Sequence, residues 1–163
     1  NNILFNYYKI KGSEINYSQP DDFLVHKLVE SKKGNAVSMG ILLITLANLL
    51  DINMHMINIP RQFIMAYFDD DPEIVSDNEI PPAQIQFYLD GASGQIFSHK
   101  DVETYFKRIS VTPTISYFKP LSNKRIIQLM LEEYAKCFSD EKKLYKKNDL
   151  LTLASQLNDT DDE

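Results

Sequence analysis

The chain has 163 residues, 44% of them hydrophobic and 25% charged, and carries a formal net charge of −6. That length and composition suit one soluble domain able to bury a core, and the negative balance argues against a nucleic-acid binder, which presents a basic face. The single cysteine, Cys137, excludes an intramolecular disulfide and fits a reducing compartment.

The opening "NNILFNYYKI" spaces Ile3, Leu4, Tyr7, Tyr8 and Ile10 close to a helical period before Gly12 and Ser13 interrupt it. No basic region precedes a continuous apolar run there, so no secretory leader is read. A loop, "SEINYSQP", leads to Pro20-Asp21-Asp22, an acidic pair that predicts the start of a helix burying Phe23, Leu24 and Leu28. Its basic end and Gly34 predict a glycine stop. Next comes "NAVSMGILLITLANLL", apolar on nearly every side from Val37 to Leu50. A helix of that kind belongs at the centre of a fold. At this length it is too short to cross a bilayer.

Strands are expected near 53–58, 61–68 and 84–89, separated first by Pro60 and then by the acidic, proline-rich connection 69–83. "ASG" is turn chemistry and "QIF" a short return strand. Ser98 is a predicted N-cap for a helix over "HKDVETYFKRI". "SNKRIIQLMLEEYAKCFS" and "EKKLYKKNDLLTLASQL" are two further helices, and the acidic "NDTDDE" is a solvated end. Helices, then a strand cluster, then helices: the fold class is α+β.

The chemistry of the chain is sparse. His26, His55 and His99 share no metal-ligand spacing, and there is no HExxH or CxxC. His55 alternates with Met54 and Met56 and so faces away from both. Cys137 is in phase with Ile126, Ile127, Met130, Tyr134 and Phe138, an apolar stripe in which cysteine behaves as a small buried hydrophobe. The acidic cluster Asp69-Asp70-Asp71 with Glu73 lacks an EF-hand's glycine-centred spacing and reads as a solvated loop. "GASG" opens no helix and is no phosphate loop. "EKKLYKK" is read as a charged solvent face. No cofactor and no metal are expected.

Gly34 before a central buried helix is the most informative feature. Cysteine hydrolases and acyl transferases hold a nucleophile at the start of such a helix, where the helix dipole favours the thiolate. A histidine on a neighbouring strand acts as base, and an acid orients it. Across "NNILFNYYKIKG", "KKGNAVSMGILLITLANLLDI", "NIPRQF", "YLDGASGQIFS" and "LSNKRIIQLMLEEY" the chain resembles the SirB family of transglutaminase-like proteins. The family pattern is a leading "LN..LF", an "R.G.P.SLS.LYL..A..LGL" core helix, "PGHF", "IDPFNGG" and a closing "S.R.ILLRML.NL" helix. The order matches throughout.

The resemblance implies a papain-like core: a small antiparallel sheet packed by the helix 37–50, with helices at both ends. It puts the nucleophile position at Ala36, the histidine position at Gln62 and the acid at Asp90. Alanine has no nucleophilic atom, and a glutamine amide is no general base near neutral pH. Only Asp90 is retained, although Gly91 and Ala92 replace the Pro and Phe that follow it in the family. The amide of Gln62 keeps the capacity to hydrogen-bond Asp90. Domain limits of 1–120 for the transglutaminase-like part and 121–163 for a C-terminal helical segment follow. In longer SirB-type proteins helical repeats follow the core, and 122–157 is where such a segment would begin.

Two functions are consistent with these residues. The first is a non-catalytic, cytoplasmic binding or regulatory module for a protein or peptide, with neither nucleic acid nor membrane as partner. Its old cleft would be lined by Asn35, Ser38, Gln62 and Asp90. The second is a residual hydrolase or acyl transferase using Ser38 or a rearranged base.

Overall fold

A computed structural model describes residues 2–69 and 84–157. A π-helical turn, Asn2–Tyr7, leads into a three-residue strand β1 (Lys11–Ser13). A 3-10 turn (Pro20–Phe23) and α1 (Val25–Ser31) follow, and then β2 (Lys33–Asn35), which pairs with β1 in parallel. The central helix α2 spans Ala36–Leu49. The main sheet is the antiparallel meander β3 (Met54–Ile57), β4 (Ile64–Phe68), β5 (Ile85–Asp90) and β6 (Ile96–Phe97). Helices α3 (His99–Arg108), α4 (Asn123–Ala135) and α5 (Leu144–Gln156) complete the α+β fold.

The sheet alternates as its sequence requires. Ile57, Ile64, Ala66, Phe68 and Tyr88 form one core with Val102 and Phe106 of α3 and with Phe118. Met56, Met65 and Leu89, one residue out of phase, pack on Leu43 and Ile44 of α2 and Ile126 of α4. A period of two thus divides the strands between two helical layers. On α2, Val37, Met39, Gly40, Leu43, Ile44 and Ala47 are buried, in keeping with its apolar sequence. Helix α4 belongs to the same core: Leu121 N–H donates to the Met56 carbonyl at 2.8 Å just before it, and its Tyr134 ring lies 5.9 Å from that of Phe23.

Four features differ from the sequence reading. The helix expected from Pro20 is broken at Leu24, which is extended (φ −98°, ψ 119°) and lets both Phe23 and Leu28 turn inward to full burial. Its stop is not Gly34 but Lys32, in the left-handed region at φ 61°. Gly34 instead lies in β2 opposite Gly12 of β1, a strand that the Gly-Ser punctuation hid. A 3-10 turn at Ile115–Phe118, also unforeseen, buries Phe118. Ser98 caps α3 in a reciprocal box with Asp101, as expected. Of the acidic cluster, Asp70, Asp71 and Glu73 lie outside the described residues. Asp69 bonds Gln86.

Gly12 explains why β1 is short and small. A Cβ there would lie 1.9 Å from the Ala92 carbonyl oxygen, so a side chain would force the β1–β2 ribbon off the 90–95 loop. Gly12→Ala is expected to lower stability by roughly 1–3 kcal/mol, the range for forced overpacking, read as a fall in the urea midpoint.

Candidate functional site

The start of α2 is closed by the chain around it. Asn35, extended at φ −100° and ψ −178°, is the N-cap. Its Oδ1 accepts from the Val37 N–H at 2.9 Å and the Ser38 N–H at 3.3 Å, satisfying two of the free donors of the first turn. Ser38 Oγ donates to the Asp22 carbonyl at 2.6 Å and lies 3.3 Å from the Asn35 carbonyl. Both side chains are fully buried. Gly34 is needed because a Cβ would meet Ser38 Oγ at 2.5 Å. Asn35 Nδ2 has no partner.

The end of β5 crosses this helix start. At Gly91 a Cβ would sit 3.2 Å from Gly40 N and 3.3 Å from the Ala36 carbonyl, so the strand backbone rests on the first turn of α2. Positions 36 and 90 are therefore brought close together. The Asp90 carboxylate, however, serves its own loop: it accepts from Ala92 N–H (3.3 Å), Ser93 N–H (3.1 Å) and the Ser93 hydroxyl. Its backbone closes the same turn through Gln95 and Gly94. This is an Asx-type turn, with carboxylate in place of a backbone acceptor.

Gln62 lies elsewhere. It ends a tight turn in which Arg61 adopts φ 62° and Gln62 N–H donates to Ile59. Two residues before Ile64, it shares that residue's phase and faces α3. Its exposed amide donates to Tyr105 Oη at 3.4 Å, and Tyr105 in turn donates to the Pro60 carbonyl at 2.8 Å. The expected Gln62–Asp90 hydrogen bond is not formed, and the four expected lining residues share no cleft. Asn35 and Ser38 are interior, Asp90 shapes a loop, and only Gln62 borders a groove. That groove, about 410 Å³, has a floor of Ile59, Ile64 and Val102 and a rim that includes Gln62, Gln95, Tyr105 and Arg108. The Arg108 guanidinium stacks 5.2 Å from the Tyr105 ring.

The remaining chemical groups are engaged locally. His26 is exposed on α1. His55 Nε2 bonds Asn53 Oδ1 at 2.9 Å, its ring edge-on to Phe68 and thus on the face opposite Met54 and Met56. His99 pairs through Nδ1 with the phenol of buried Tyr88 at 2.8 Å, and its Nε2 lies 3.8 Å from Glu103. Reading by spacing missed this link, because it joins a strand to a helix start across the core. Burial, with the Glu103 charge adding to it, pushes the Tyr88 phenol far above its ordinary value. Burial likewise raises the Cys137 thiol, which keeps it protonated and poorly nucleophilic. Among the described residues no three His, Cys, Asp or Glu side chains converge as a metal site.

A family model, that of the transglutaminase-like superfamily, matches residues 1–132. The chain belongs to that superfamily. The match runs from the N-terminal π-helical turn into α4, so the sheet and the helix carrying position 36 lie inside it. Searches of curated proteins and of solved structures find no match. In this transglutaminase-like chain the helix start retains the geometry of a buried, capped N-terminus, while its polar side chains are used to hold backbone together.

Two outcomes follow. Ser38→Ala takes the donor from the carbonyl of half-buried Asp22 and is expected to reduce stability by about 1–3 kcal/mol, with Asn35→Ala losing a similar ~1–2 kcal/mol as an N-cap; denaturant unfolding reads both. Tyr88 stays neutral in the fold while the unfolded tyrosine ionises near pH 10. Its contribution is therefore complete below about pH 10 and is lost as pH rises beyond it. Tyr88→Phe should flatten the alkaline fall in thermal midpoint.

Proposed function

We propose that this transglutaminase-like domain is of SirB type, non-catalytic, and acts as a cytoplasmic binding or regulatory module for a protein or peptide. One observation carries the reading. At the helix start where the superfamily's nucleophile stands, Ala36 offers no reactive atom, and the one hydroxyl nearby, Ser38, is buried and committed to the Asp22 carbonyl. Gln62 supplies no base, and its hydrogen-bond partner is Tyr105. A serine held this way would have to break its bond to Asp22 and leave the interior before it met a substrate.

The groove between the sheet and α3 supports the binding half of the proposal. An apolar floor with a rim of two amides, a phenol, a guanidinium, the Thr104 hydroxyl and the Asp101 carboxylate suits an extended peptide: the amides pair with its backbone, and Arg108 takes an acidic group. The edge of β6 borders the same groove at Ile96 and Phe97. A peptide that lies along it gains main-chain hydrogen bonds there.

The test has two arms. Wild-type protein is expected to leave an activated ester, and a glutamine-donor peptide with an amine acceptor, at their uncatalysed rates. Turnover by wild type that disappears in folded Ser38→Ala would sink the non-catalytic reading. In the second arm, peptides retained from a library by immobilised wild-type domain are expected to lose about tenfold in affinity to Gln62→Ala/Arg108→Ala. Retention indifferent to both substitutions would remove the groove from the proposal.

A further inference from the structure

The chain is acidic overall, yet four lysines gather at one place. Lys11 and Lys33 are register partners in the parallel β1–β2 pair, which sets two ammonium-bearing side chains on one face of the ribbon. Lys11 N–H donates to the Lys32 carbonyl, and Lys32 Nζ lies 5.7 Å from the centre of the Tyr8 ring. Lys9 joins Tyr8 to β1. Among the described residues Lys9, Lys11 and Lys33 form no side-chain hydrogen bond or ion pair. Two other lysines do find carboxylates, Lys27 with Glu30 and Lys136 with Glu133.

This arrangement opposes folding in two ways. Like charges directly opposite on paired strands repel. Lys9 at φ 57° and Lys32 at φ 61° also occupy the left-handed region, which disfavours side chains. At Lys32 this is the left-handed cap that ends α1. Beside the lysines stand three large exposed side chains from the N-terminal turn: Ile3, 66% exposed, Tyr7, 78%, and Tyr8, 51%. Tyr7 meets the edge of Tyr8 at a 5.1 Å ring separation.

We propose that this face docks on an anionic lipid membrane. The four ammonium groups meet lipid phosphates and carboxylates, the tyrosines lie at headgroup level, and Ile3 reaches the acyl boundary. Tyrosine prefers that depth because one end of its ring is apolar and the other polar. The lysines gain from the negative potential of a cytoplasmic leaflet. A single-stranded nucleic acid would also use lysines and rings. Tyr8, though, already has a lysine near its ring and the Tyr7 ring against it, and Ile3 offers a base or phosphate nothing. Membrane contact is the reading that uses all seven residues. The acidic remainder of the chain is repelled by the same surface, which orients the patch toward it. No helix among the described residues is long and apolar enough to cross a membrane, so the contact is peripheral. The patch shares no residue with the groove beside α3, and the two proposals stand or fall separately.

Co-sedimentation of the whole chain with phosphatidylcholine vesicles, with and without about one-fifth phosphatidylserine, tests this. Binding is expected only to the anionic vesicles and should be lost near ~0.5 M salt. Lys11→Gln/Lys33→Gln is expected to weaken it by roughly twenty- to thirtyfold, about fivefold per lysine. Tyr7→Ala, at an exposed site, should also weaken it and serves if the double variant does not fold. Lys142→Gln/Lys143→Gln, a basic pair elsewhere, should change it little. The proposal is overturned by equal binding to neutral vesicles, by indifference to the patch variants, or by an equal loss in the control pair. Displacement of the protein from vesicles by a short single-stranded oligonucleotide that it binds more tightly also overturns it, in favour of nucleic acid.

Discussion

Everything in this fold is arranged around how closely backbone can approach the first turn of α2. Two glycines make that approach possible: Gly34 runs beside Ser38, and Gly91 lies on Gly40 and the Ala36 carbonyl. Gly12 then lets β1 close on the loop after Gly91. A side chain at Gly34 or Gly91 would separate strand from helix, and the buried donors of that first turn would lose their cover. Asn35 and Ser38 complete the junction by supplying the hydrogen bonds that burial demands.

That junction is the capped start of the central helix. A capped helix N-terminus favours negative charge, but Ala36 has no group to ionise, and the neighbouring polar atoms are spent on Val37, Ser38 and Asp22. Asp90 arranges the turn through Ser93. These groups stiffen a core.

Surface character is divided in the same unequal way. The groove beside α3 is mixed in polarity and bordered by a sheet edge, whereas the N-terminal ribbon gathers unpaired lysines and exposed rings. A net charge of −6 conceals this, because a sum over the chain carries no information on where charges meet. Lys11 and Lys33 lie 22 positions apart and become neighbours only through a parallel pairing that two glycines and a serine did not advertise.

Much was legible from order and periodicity alone. The apolar run after Asn35 is the central helix, the strands expected near 53–58, 61–68 and 84–89 form at 54–57, 64–68 and 85–90, and Ser98 caps α3. These features are local or periodic, so each residue's neighbours in the chain suffice to determine them. That Ala36 carries no nucleophilic atom and Gln62 no basic one was equally plain, since it depends only on the atoms they possess. Tertiary structure alone decided the rest. A left-handed Arg61 turns Gln62 toward Tyr105 instead of Asp90, an extended Leu24 splits the first helix, and Ser38 is sealed by a carbonyl sixteen residues away. Each of these depends on a single backbone dihedral or a long-range contact, and neither leaves a period in the sequence.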